Sequence, residues 1–328
     1  MKILVIRFSS IGDLVLTTPV LRGLKNQLPF AEIHVLTKSV YASLLEGLDS
    51  VDTIWNLGEA KLIPQLQEIQ FDAVIDLQRN WRSLFVKLSL WSVPHYTYNK
   101  KSIQRWLFVI TKWARFKVNH VCDRYWETAF PLGVFPDKQG IELPSYRVEI
   151  EDNIVQVKPY LVAILGGTYT TKKIPKDLWI RALSSTPLPI VLIGGEADYT
   201  LAQELAALLP ERVMNCVGKL SLQASAKYIE NCQFAIGGDT GFTHIARAYK
   251  KSVLVIWGNT HPGLGFSPDW KITEEDGRVL HLLPQNLSCH PCSKLGHEVC
   301  PRKHFHCMKL HSAKELALLL ENLQGISS

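Results

Sequence analysis

The amino-acid sequence predicts an α/β fold with two Rossmann-like, doubly wound parallel sheets, one in each half of the chain. Short apolar runs alternate with helical patterns in the first half, and the same alternation starts again at Tyr160. The runs are nearly continuous, which is typical of parallel strands that are covered on both faces. The length of 328 residues suits two domains of roughly 150 residues each.

The first domain is predicted over residues 1–150. Its strands are expected in the segments KILVIRF, EIHVLTK, VDTIWNL and AVIDL, with a helix from Leu14 to Asn26 after the first of them. The segment Glu149–Pro159 is polar and ends in a proline. Such a composition is typical of a linker between two domains.

The second domain is predicted over residues 160–311. Its strands are expected in YLVAILGG, PIVLIGG, RVMNCVG, FAIGGDT and VLVIWGN. Residues 312–328 are predicted to carry a separate amphipathic helix that begins after Ser312. Glu315 stands three residues after this candidate N-cap, as it would in a capping box.

The N-terminal segment leads us to expect a cytoplasmic protein. The apolar run Ile3–Ile6 stops at Arg7, so it is too short for a signal peptide and fits a first strand. No run of 18 or more apolar residues occurs, and no membrane-spanning helix is expected. Seven cysteines in such a chain favour reduced thiols or a metal site over a disulfide scaffold.

Residues 79–117, which we call the basic block, contain nine Lys or Arg and no Asp or Glu. The aromatic residues interleaved with these charges are Trp81, Phe85, Trp91, Trp106, Phe108, Trp113 and Phe116. One interpretation is an amphipathic surface for an anionic membrane or a phosphorylated acceptor. The other is that ordinary helices bury the aromatic residues and leave the cations in solvent. Nucleic acid is not an expected partner, because no known binding motif accompanies the charge.

The loops that follow strands are the candidate sites, because ligands of open α/β sheets bind beyond the carboxyl ends of the strands. The loop Arg7–Asp13 follows the first strand. It lacks the GxGxxG pattern and carries a carboxylate that would repel a dinucleotide phosphate, which disfavours a dehydrogenase. Asp13 is a candidate general base for an acceptor hydroxyl. The alternative is that Asp13 is the N-cap of a helix.

Two loops of the second domain have the composition of a phosphate site. The loop Gly166–Pro175 combines glycines, hydroxyls and the pair Lys172 and Lys173, which suits a diphosphate. The loop Gly237–His244 runs into a helix whose first amides and dipole would attract an anion. His244 is either part of this site or a histidine that caps the helix or lies in the core.

These segments together resemble a known family. The opening RFSSIGDLVLTTPVL, the middle FDAVIDLQRN, the loop GGTYTTKKIP and the block GGDTGFTHIARAYKKSVLVIWGNTHP are similar to glycosyltransferase family 9, the ADP-heptose:lipopolysaccharide heptosyltransferases. The similarity spans nearly the whole chain. It implies a GT-B fold, in which the two Rossmann-like domains face each other across a cleft, and an inverting transfer from an ADP-sugar such as ADP-heptose. The implied acceptor is the inner core of lipopolysaccharide or a related lipid-linked oligosaccharide.

The resemblance also implies roles for particular residues. Asp13 would be the catalytic base, and Lys172 would be the second catalytic residue, in contact with the diphosphate. The implied donor-binding residues are Thr168, Thr171, Lys172, Glu196, Asp239, Thr240, Gly241 and His244. The implied acceptor and loop residues of the N-terminal, acceptor-binding domain are Ser10, Gly12, Arg79 and Arg82. The C-terminal helix is expected to pack back on that domain.

The family's reaction implies that no cofactor is required, and the sequence contains no Asp-x-Asp motif for a metal diphosphate. A lipid acceptor implies a peripheral position at the inner face of the cytoplasmic membrane. Two residues depart from the family pattern: Ile174 stands where a tryptophan is usual, and Asn259 stands where a proline is common.

Four cysteines of the tail follow the spacing C-x2-C-x7-C-x6-C and are Cys289, Cys292, Cys300 and Cys307. This spacing permits a tetrahedral, structural zinc site, while the alternative is a set of free or partly bridged thiols. Two other functions remain open from the residues alone. One is a nucleotide-sugar epimerase of the same fold, and the other is a non-catalytic protein that binds an anionic surface.

Overall fold

The computed structural model describes residues 1–149, 159–271 and 276–325. The chain divides into two compact units. The first unit comprises Met1–Lys101 and Asn119–Ser145, and the second comprises Ser102–Val118 and Tyr146–Ser328. The predicted linker Glu149–Pro159 lies almost entirely outside the described residues.

The first unit contains a five-stranded sheet with the order β3-β2-β1-β4-β5. All of its neighbouring strands pair in parallel. Its strands are β1 (Lys2–Ile6), β2 (Glu32–Thr37), β3 (Thr53–Asn56), β4 (Ala73–Asp76) and β5 (His95–Thr97). The central strand β1 has four buried residues in a row, as the continuous apolar run predicts.

The second unit contains a six-stranded parallel sheet with the order β11-β10-β9-β6-β7-β8. Its strands are β6 (Leu161–Ile164), β7 (Ile190–Ile193), β8 (Val213–Asn215), β9 (Phe234–Gly238), β10 (Ser252–Ile256) and β11 (Val279–Leu282). All nine predicted strands are present. The two that the sequence does not predict, β5 and β11, lie at sheet edges, where a short strand needs no continuous apolar run.

The helices of the described residues cover the two sheets. They are α1 (Ile11–Val15), α2 (Thr18–Gln27), α3 (Ser39–Ala42), α4 (Leu62–Glu68), α5 (Trp81–Ser89), α6 (Ser102–Thr111), α7 (Val121–Trp126), α8 (Lys176–Ser184), α9 (Tyr199–Leu208), α10 (Leu222–Asn231), α11 (Gly241–Ala248), α12 (His306–Lys309) and α13 (Ala313–Gln324). Within the part of the chain that the structure describes, every helix is too short or too polar to cross a membrane.

The predicted helix Leu14–Asn26 is two helices, α1 and α2. The hydroxyls of Thr17 and Thr18 donate to the carbonyls of Leu14 (2.6 Å) and Val15 (2.9 Å). Pro19, in the first turn of α2, has no amide hydrogen to continue the preceding helix. The helix is therefore interrupted between Val15 and Thr18.

Residues 102–118 belong to the second unit, whereas the sequence predicts them within the domain 1–150. Arg105 of α6 donates to the carbonyl of Lys294 (2.9 Å), and its guanidinium lies over the ring of Phe266 (4.7 Å). Phe108 is buried, and its ring contacts that of His261 edge-on. These partners are more than 150 residues away in sequence, so a local pattern could not reveal them.

The C-terminal helix α13 forms as predicted, and the hydroxyl of its N-cap Ser312 accepts from the amide of Glu315 (3.2 Å). The expectation that it packs back on the N-terminal domain stays a prediction. Its apolar stripe, Leu316, Leu320 and Leu323, is buried in the core of the second unit against β10, β11 and α8. The helix therefore completes one face of the sheet that lies nearest to it in sequence.

Candidate functional site

The first candidate site is the loop after β1, where Asp13 is held by two partners. Arg7 contacts Asp13 Oδ2 through Nη2 at 2.8 Å. The amide and hydroxyl of Ser10 donate to the same oxygen, at 3.1 Å and 3.0 Å. Within the described residues, no hydrogen bond reaches Asp13 Oδ1. One carboxylate oxygen is thus fixed by three donors, and the other is available to a ligand.

Ser10 is the N-cap of α1, so Asp13 lies inside the first turn and is not the N-cap itself. Gly12, a residue of the same turn, is buried. Burial by itself would raise the pKa of Asp13, but the charge of Arg7 and the two hydrogen bonds from Ser10 outweigh it, and the pKa is lowered. The carboxylate is therefore ionised at neutral pH.

Arg7 is itself held rigidly. Its Nε donates to the carbonyl of Ser9 (2.8 Å), and its Nη1 donates to the hydroxyl of Tyr125 (2.8 Å) and to the carbonyl of Leu77. The side chain is buried. These bonds fix the direction of the guanidinium. Arg7 therefore determines where the Asp13 carboxylate points.

Arg79 is placed by Asp76, the last residue of β4. Asp76 is fully buried, and its Oδ1 accepts from the amide of Arg79 (2.7 Å). Its Oδ2 accepts from the hydroxyl of Ser83 (2.9 Å) and contacts Lys87 (3.0 Å). Arg79 adopts a φ of 50°, an uncommon left-handed conformation for a residue other than glycine. The buried carboxylate therefore fixes both Arg79 and the start of α5.

The basic block is exposed in large part, so the interpretation that buries its aromatic residues is wrong for most of them. On α5 and just after it, Trp81, Phe85 and Trp91 are 74%, 59% and 81% exposed. In the second unit, Trp106 and Trp113 are also exposed, whereas Phe108 is buried. These are unusually large apolar side chains to leave in water.

A cavity of about 810 Å³ adjoins α5 in the first unit. Arg82, a predicted acceptor residue, lines it together with Lys38 and Lys61. Trp81 and Phe85 form part of its apolar wall. Its volume lies in the range of ligand pockets, about 300–1,000 Å³. The cavity combines cations with an apolar wall, as an anionic amphiphile would require.

The second candidate site, in the second unit, is centred on Lys172 and Asp239. Lys172 Nζ lies 2.6 Å from Asp239 Oδ2. The same oxygen accepts from the hydroxyl of Thr260 (2.8 Å). Both charged side chains are only slightly exposed. Asp239 directly follows β9, and Lys172 ends a short 3₁₀ turn after β6, so the sheet brings both residues to its carboxyl edge.

Gly238 allows these loops to approach each other. A Cβ on Gly238 would lie 2.5 Å from the carbonyl oxygen of Lys172, and this position therefore accepts no side chain. Gly167 lies between Lys172 and Thr240, since a Cβ placed on it would make ordinary contacts with both, at 3.8 Å and 3.7 Å. The residues predicted to bind the diphosphate thus converge at one place.

The helix α11 begins at this place. Its N-cap Thr240 makes no side-chain capping bond, and Thr240 Oγ1 is buried without a partner among the described residues. The first amides of α11, from Gly241 onward, also lack a capping side chain. His244 is buried one turn into the helix. An N-terminus with free amides and a free hydroxyl is a suitable anion site.

The remaining predicted donor residues have different surroundings. Thr168 and Glu196 are exposed. Glu196 lies in a 3₁₀ turn after β7, close to Gly218. The hydroxyl of Thr171 donates to the carbonyl of His297 (2.8 Å) and accepts from the amide of that residue (2.8 Å). The Thr171 hydroxyl is therefore bonded to the cysteine-rich tail, and its hydrogen is not available to the ADP-sugar.

Sequence reasoning did not assign roles to Arg7 and Lys100. Burial, and then repulsion by Arg7, lowers the pKa of Lys100, while Asp76 and Asp13 act in the opposite direction. Lys100 therefore interacts electrostatically with the charged groups around Asp13. A buried arginine needs an acidic partner. The position of Arg7 at the end of a buried strand could therefore have indicated that it pairs with a nearby carboxylate.

The four cysteines of the tail line one small cavity in the second unit, and they form no disulfide.

Ile174, which departs from the family pattern, is buried in the core of this unit. Its aliphatic side chain fills core space.

One protein family matches residues 59–274, and its description is glycosyltransferase family 9 (heptosyltransferase). The chain belongs to glycosyltransferase family 9. Lipopolysaccharide heptosyltransferase 1 of Pseudomonas aeruginosa is 24% identical over 335 residues, which cover 90% of this chain and 86% of the relative.

Solved structures agree with the fold. A family 9 glycosyltransferase from Veillonella parvula matches with a TM-score of 0.72 at 18% identity, covering 99% of this chain and 98% of the other. The ADP-heptose lipopolysaccharide heptosyltransferase II of E. coli matches with a TM-score of 0.65 at 19% identity, covering 98% and 100%. The fold is GT-B and the chain is a glycosyltransferase. An epimerase or a non-catalytic binding protein is not favoured.

Proposed function

We propose that this family 9 enzyme transfers a heptose from ADP-heptose to the inner core of a lipopolysaccharide precursor, or to a related surface glycolipid, with inversion at the anomeric carbon. The names of the relatives support this donor and this acceptor. The charges of the two candidate sites suit the same pair of substrates, because the donor carries a diphosphate and the acceptor is anionic.

The observation that carries the proposal is the asymmetric Asp13 carboxylate. Arg7 and Ser10 hold Oδ2, and Oδ1 is available to accept the proton of an acceptor hydroxyl. As the proton moves to Oδ1, the hydroxyl oxygen attacks the anomeric carbon from the face opposite the diphosphate. The carbon–oxygen bond to the diphosphate breaks, and ADP leaves with the electron pair. A single displacement of this kind inverts the configuration.

The charge that develops on ADP would be stabilised by Lys172 and by the N-terminus of α11. The Thr240 hydroxyl and the Gly241 amide are the proposed hydrogen-bond donors. His244 and Asp239 would hold this loop, and Glu196 would meet the adenosine ribose. Thr171 is left out of the contact set because its hydroxyl is bonded to His297. In this scheme cationic and dipolar groups neutralise the leaving group, and no cofactor is needed.

The experiment combines ADP-heptose with lipopolysaccharide core acceptor and measures both the glycosylated product and ADP. We expect product only when both substrates are present. Asp13→Asn should lower kcat by roughly 10²- to 10⁴-fold, the usual contribution of a general base, with donor binding unchanged. Asp137→Asn is the matched control, because it breaks another arginine–aspartate contact of the first unit, with Arg22 at 2.7 Å. Near-normal transfer by Asp13→Asn would contradict the assignment.

We further propose that the enzyme acts on the cytoplasmic face of the inner membrane as a peripheral protein. The support is the exposed face of α5, where Trp81 and Phe85 adjoin the cationic cavity. Flotation with anionic vesicles should retain the protein, and Trp81→Ser with Phe85→Ser should reduce retention. Phe30→Ser, at a 99% exposed phenylalanine of the same unit, is the control. Equal retention of all three proteins would exclude this surface.

A further inference from the structure

The cavity beside α5 lies at the carboxyl edge of the first sheet, where open α/β sheets bind ligands. Its walls come from the chain segments that follow β2, β3 and β4. The described loop Arg7–Asp13 follows β1 and does not line it. The volume of about 810 Å³ therefore belongs to a site separate from the Asp13 carboxylate, and no step of the proposed transfer uses it.

Three cations line this cavity without a partner of opposite charge. Lys38, Lys61 and Arg82 form no ion pair with any residue that the structure describes. Glu59 is the one carboxylate among the described lining residues, and it accepts from Nδ2 of Asn56 (2.7 Å). Three positive charges and one negative charge leave a net charge of +2. Such a charge at a cavity wall favours an anionic occupant.

Much of the remaining wall is apolar. Leu62 and Val86 line the cavity and are buried in the core of this unit. Val40, Trp81 and Phe85 line it as well, but they are exposed. The apolar wall thus runs from the core to the surface. An inorganic anion or a sugar phosphate has no apolar group to cover these side chains, whereas an alkyl chain would remove them from water.

The exposed part of the cavity wall continues into an apolar face of α5. Trp81, Leu84, Phe85 and Leu88 are each more than half exposed, and their spacing places them on one side of the helix. Trp81 and Phe85 belong both to this face and to the cavity wall. An apolar helix face beside cations is typical of a contact with an anionic membrane surface. The bilayer is therefore the favoured source of the ligand.

We propose that this cavity binds one molecule of an anionic membrane phospholipid. The phosphate contacts Lys38, Lys61 and Arg82 through charge-assisted bonds, and an acyl chain covers Leu62 and Phe85. The bound lipid holds the first unit at the bilayer through one specific contact in addition to general charge attraction. The inference goes beyond the proposed transfer, and only the source of the lipid rests on the proposed membrane position.

The test measures the binding of dihexanoyl-phosphatidylglycerol to the full-length chain by titration calorimetry, below its critical micelle concentration and without a bilayer. We expect one site per chain. Glycerol 3-phosphate lacks the acyl chains, and dihexanoyl-phosphatidylcholine carries a compensating cation, so both should bind roughly tenfold more weakly or less. Equal affinity for the three ligands, or no binding of the phosphatidylglycerol, would overturn the proposal.

Two variants test the cations, and both change exposed side chains on which folding does not depend. Lys61→Ala and Arg82→Ala should each weaken binding by roughly fivefold, the usual contribution of one cation to the attraction of an anionic lipid. Lys138→Ala is the matched control for Lys61, because its φ is 63° against 61° and it is exposed outside the cavity. Equal losses in the Lys61 and Lys138 variants would indicate diffuse surface charge and would overturn the proposal.

A competition experiment distinguishes a bilayer phospholipid from the lipid of the acceptor. Transfer is measured over a range of concentrations of lipopolysaccharide core acceptor, with and without dihexanoyl-phosphatidylglycerol. We expect the KM for the acceptor to be unchanged. A KM that rises in a competitive pattern would mean that the acceptor's own lipid occupies the cavity, and it would overturn the proposal. Direct binding needs neither substrate, so a failure of the proposed transfer leaves the calorimetric result intact.

Discussion

Each unit holds an ion pair at the carboxyl edge of its sheet, and the two pairs differ in which partner is fixed. In the first unit, Arg7 is the fixed partner, because carbonyls and the Tyr125 hydroxyl hold its guanidinium. In the second unit, the carboxylate of Asp239 is fixed by Thr260, and Lys172 is a flexible chain that ends in an ammonium. The distances are similar, 2.8 Å and 2.6 Å.

The roles that we propose for the two pairs follow from this difference. A rigid arginine makes the opposing carboxylate a well-oriented, ionised base. In the proposed mechanism, the fixed carboxylate holds a lysine that would move onto a phosphate when the ADP-sugar binds, since the ammonium is a compact charge on a long stem. The same interaction would thus present a base in one unit and a cation in the other.

Lys172→Ala should have the largest effect among tests of this comparison. If the ammonium moves from Asp239 to the leaving diphosphate, its loss should lower kcat by roughly 10²- to 10³-fold, as for other groups that stabilise transition-state charge. Steady-state kinetics with ADP-heptose would measure the loss. Lys176→Ala is the control, because that lysine is exposed and pairs with Glu204. A higher KM with unchanged kcat would instead mean that Lys172 binds substrate and transition state equally.

Arg7→Met should have a smaller effect that depends on pH. Removal of the cation raises the pKa of Asp13, because burial of the carboxylate is then opposed only by Ser10. The acidic limb of the kcat/KM profile should therefore move to higher pH, with the rate near its optimum less affected. Arg22→Met, which breaks the contact with Asp137, should leave that limb in place. Coincident profiles for the Arg7 variant and the wild type would contradict the role of Arg7.

Much of the fold follows from local sequence. Buried parallel strands need apolar side chains on both faces, so runs such as Ile3–Ile6 predict strands without knowledge of their neighbours. The edge strands β5 and β11 escape the same reasoning because only part of their surface is covered. Asp13 and Lys172 could be singled out because ligands of open α/β sheets bind at the loops after strands and because the segments that resemble the family contain them.

The contacts that orient these residues come from distant parts of the chain. Leu77 and Tyr125, which orient Arg7, are 70 and 118 residues away from it. Thr260, which holds Asp239, belongs to the loop after the next strand. Sequence periodicity carries no information about such partners, because it reports only which face of an element is buried.

The sequence by itself determined the two sheets, the loops that carry the charged residues and the C-terminal helix with its Ser312 cap. Only the tertiary structure decided that α6 and α13 both pack in the second unit, that Arg7 fixes Asp13, and that four cysteines and Asn259 surround one cavity. The physical reason is that strands and caps depend on neighbours within a few residues. Packing partners and charge pairs depend on which apolar faces meet when the whole chain folds.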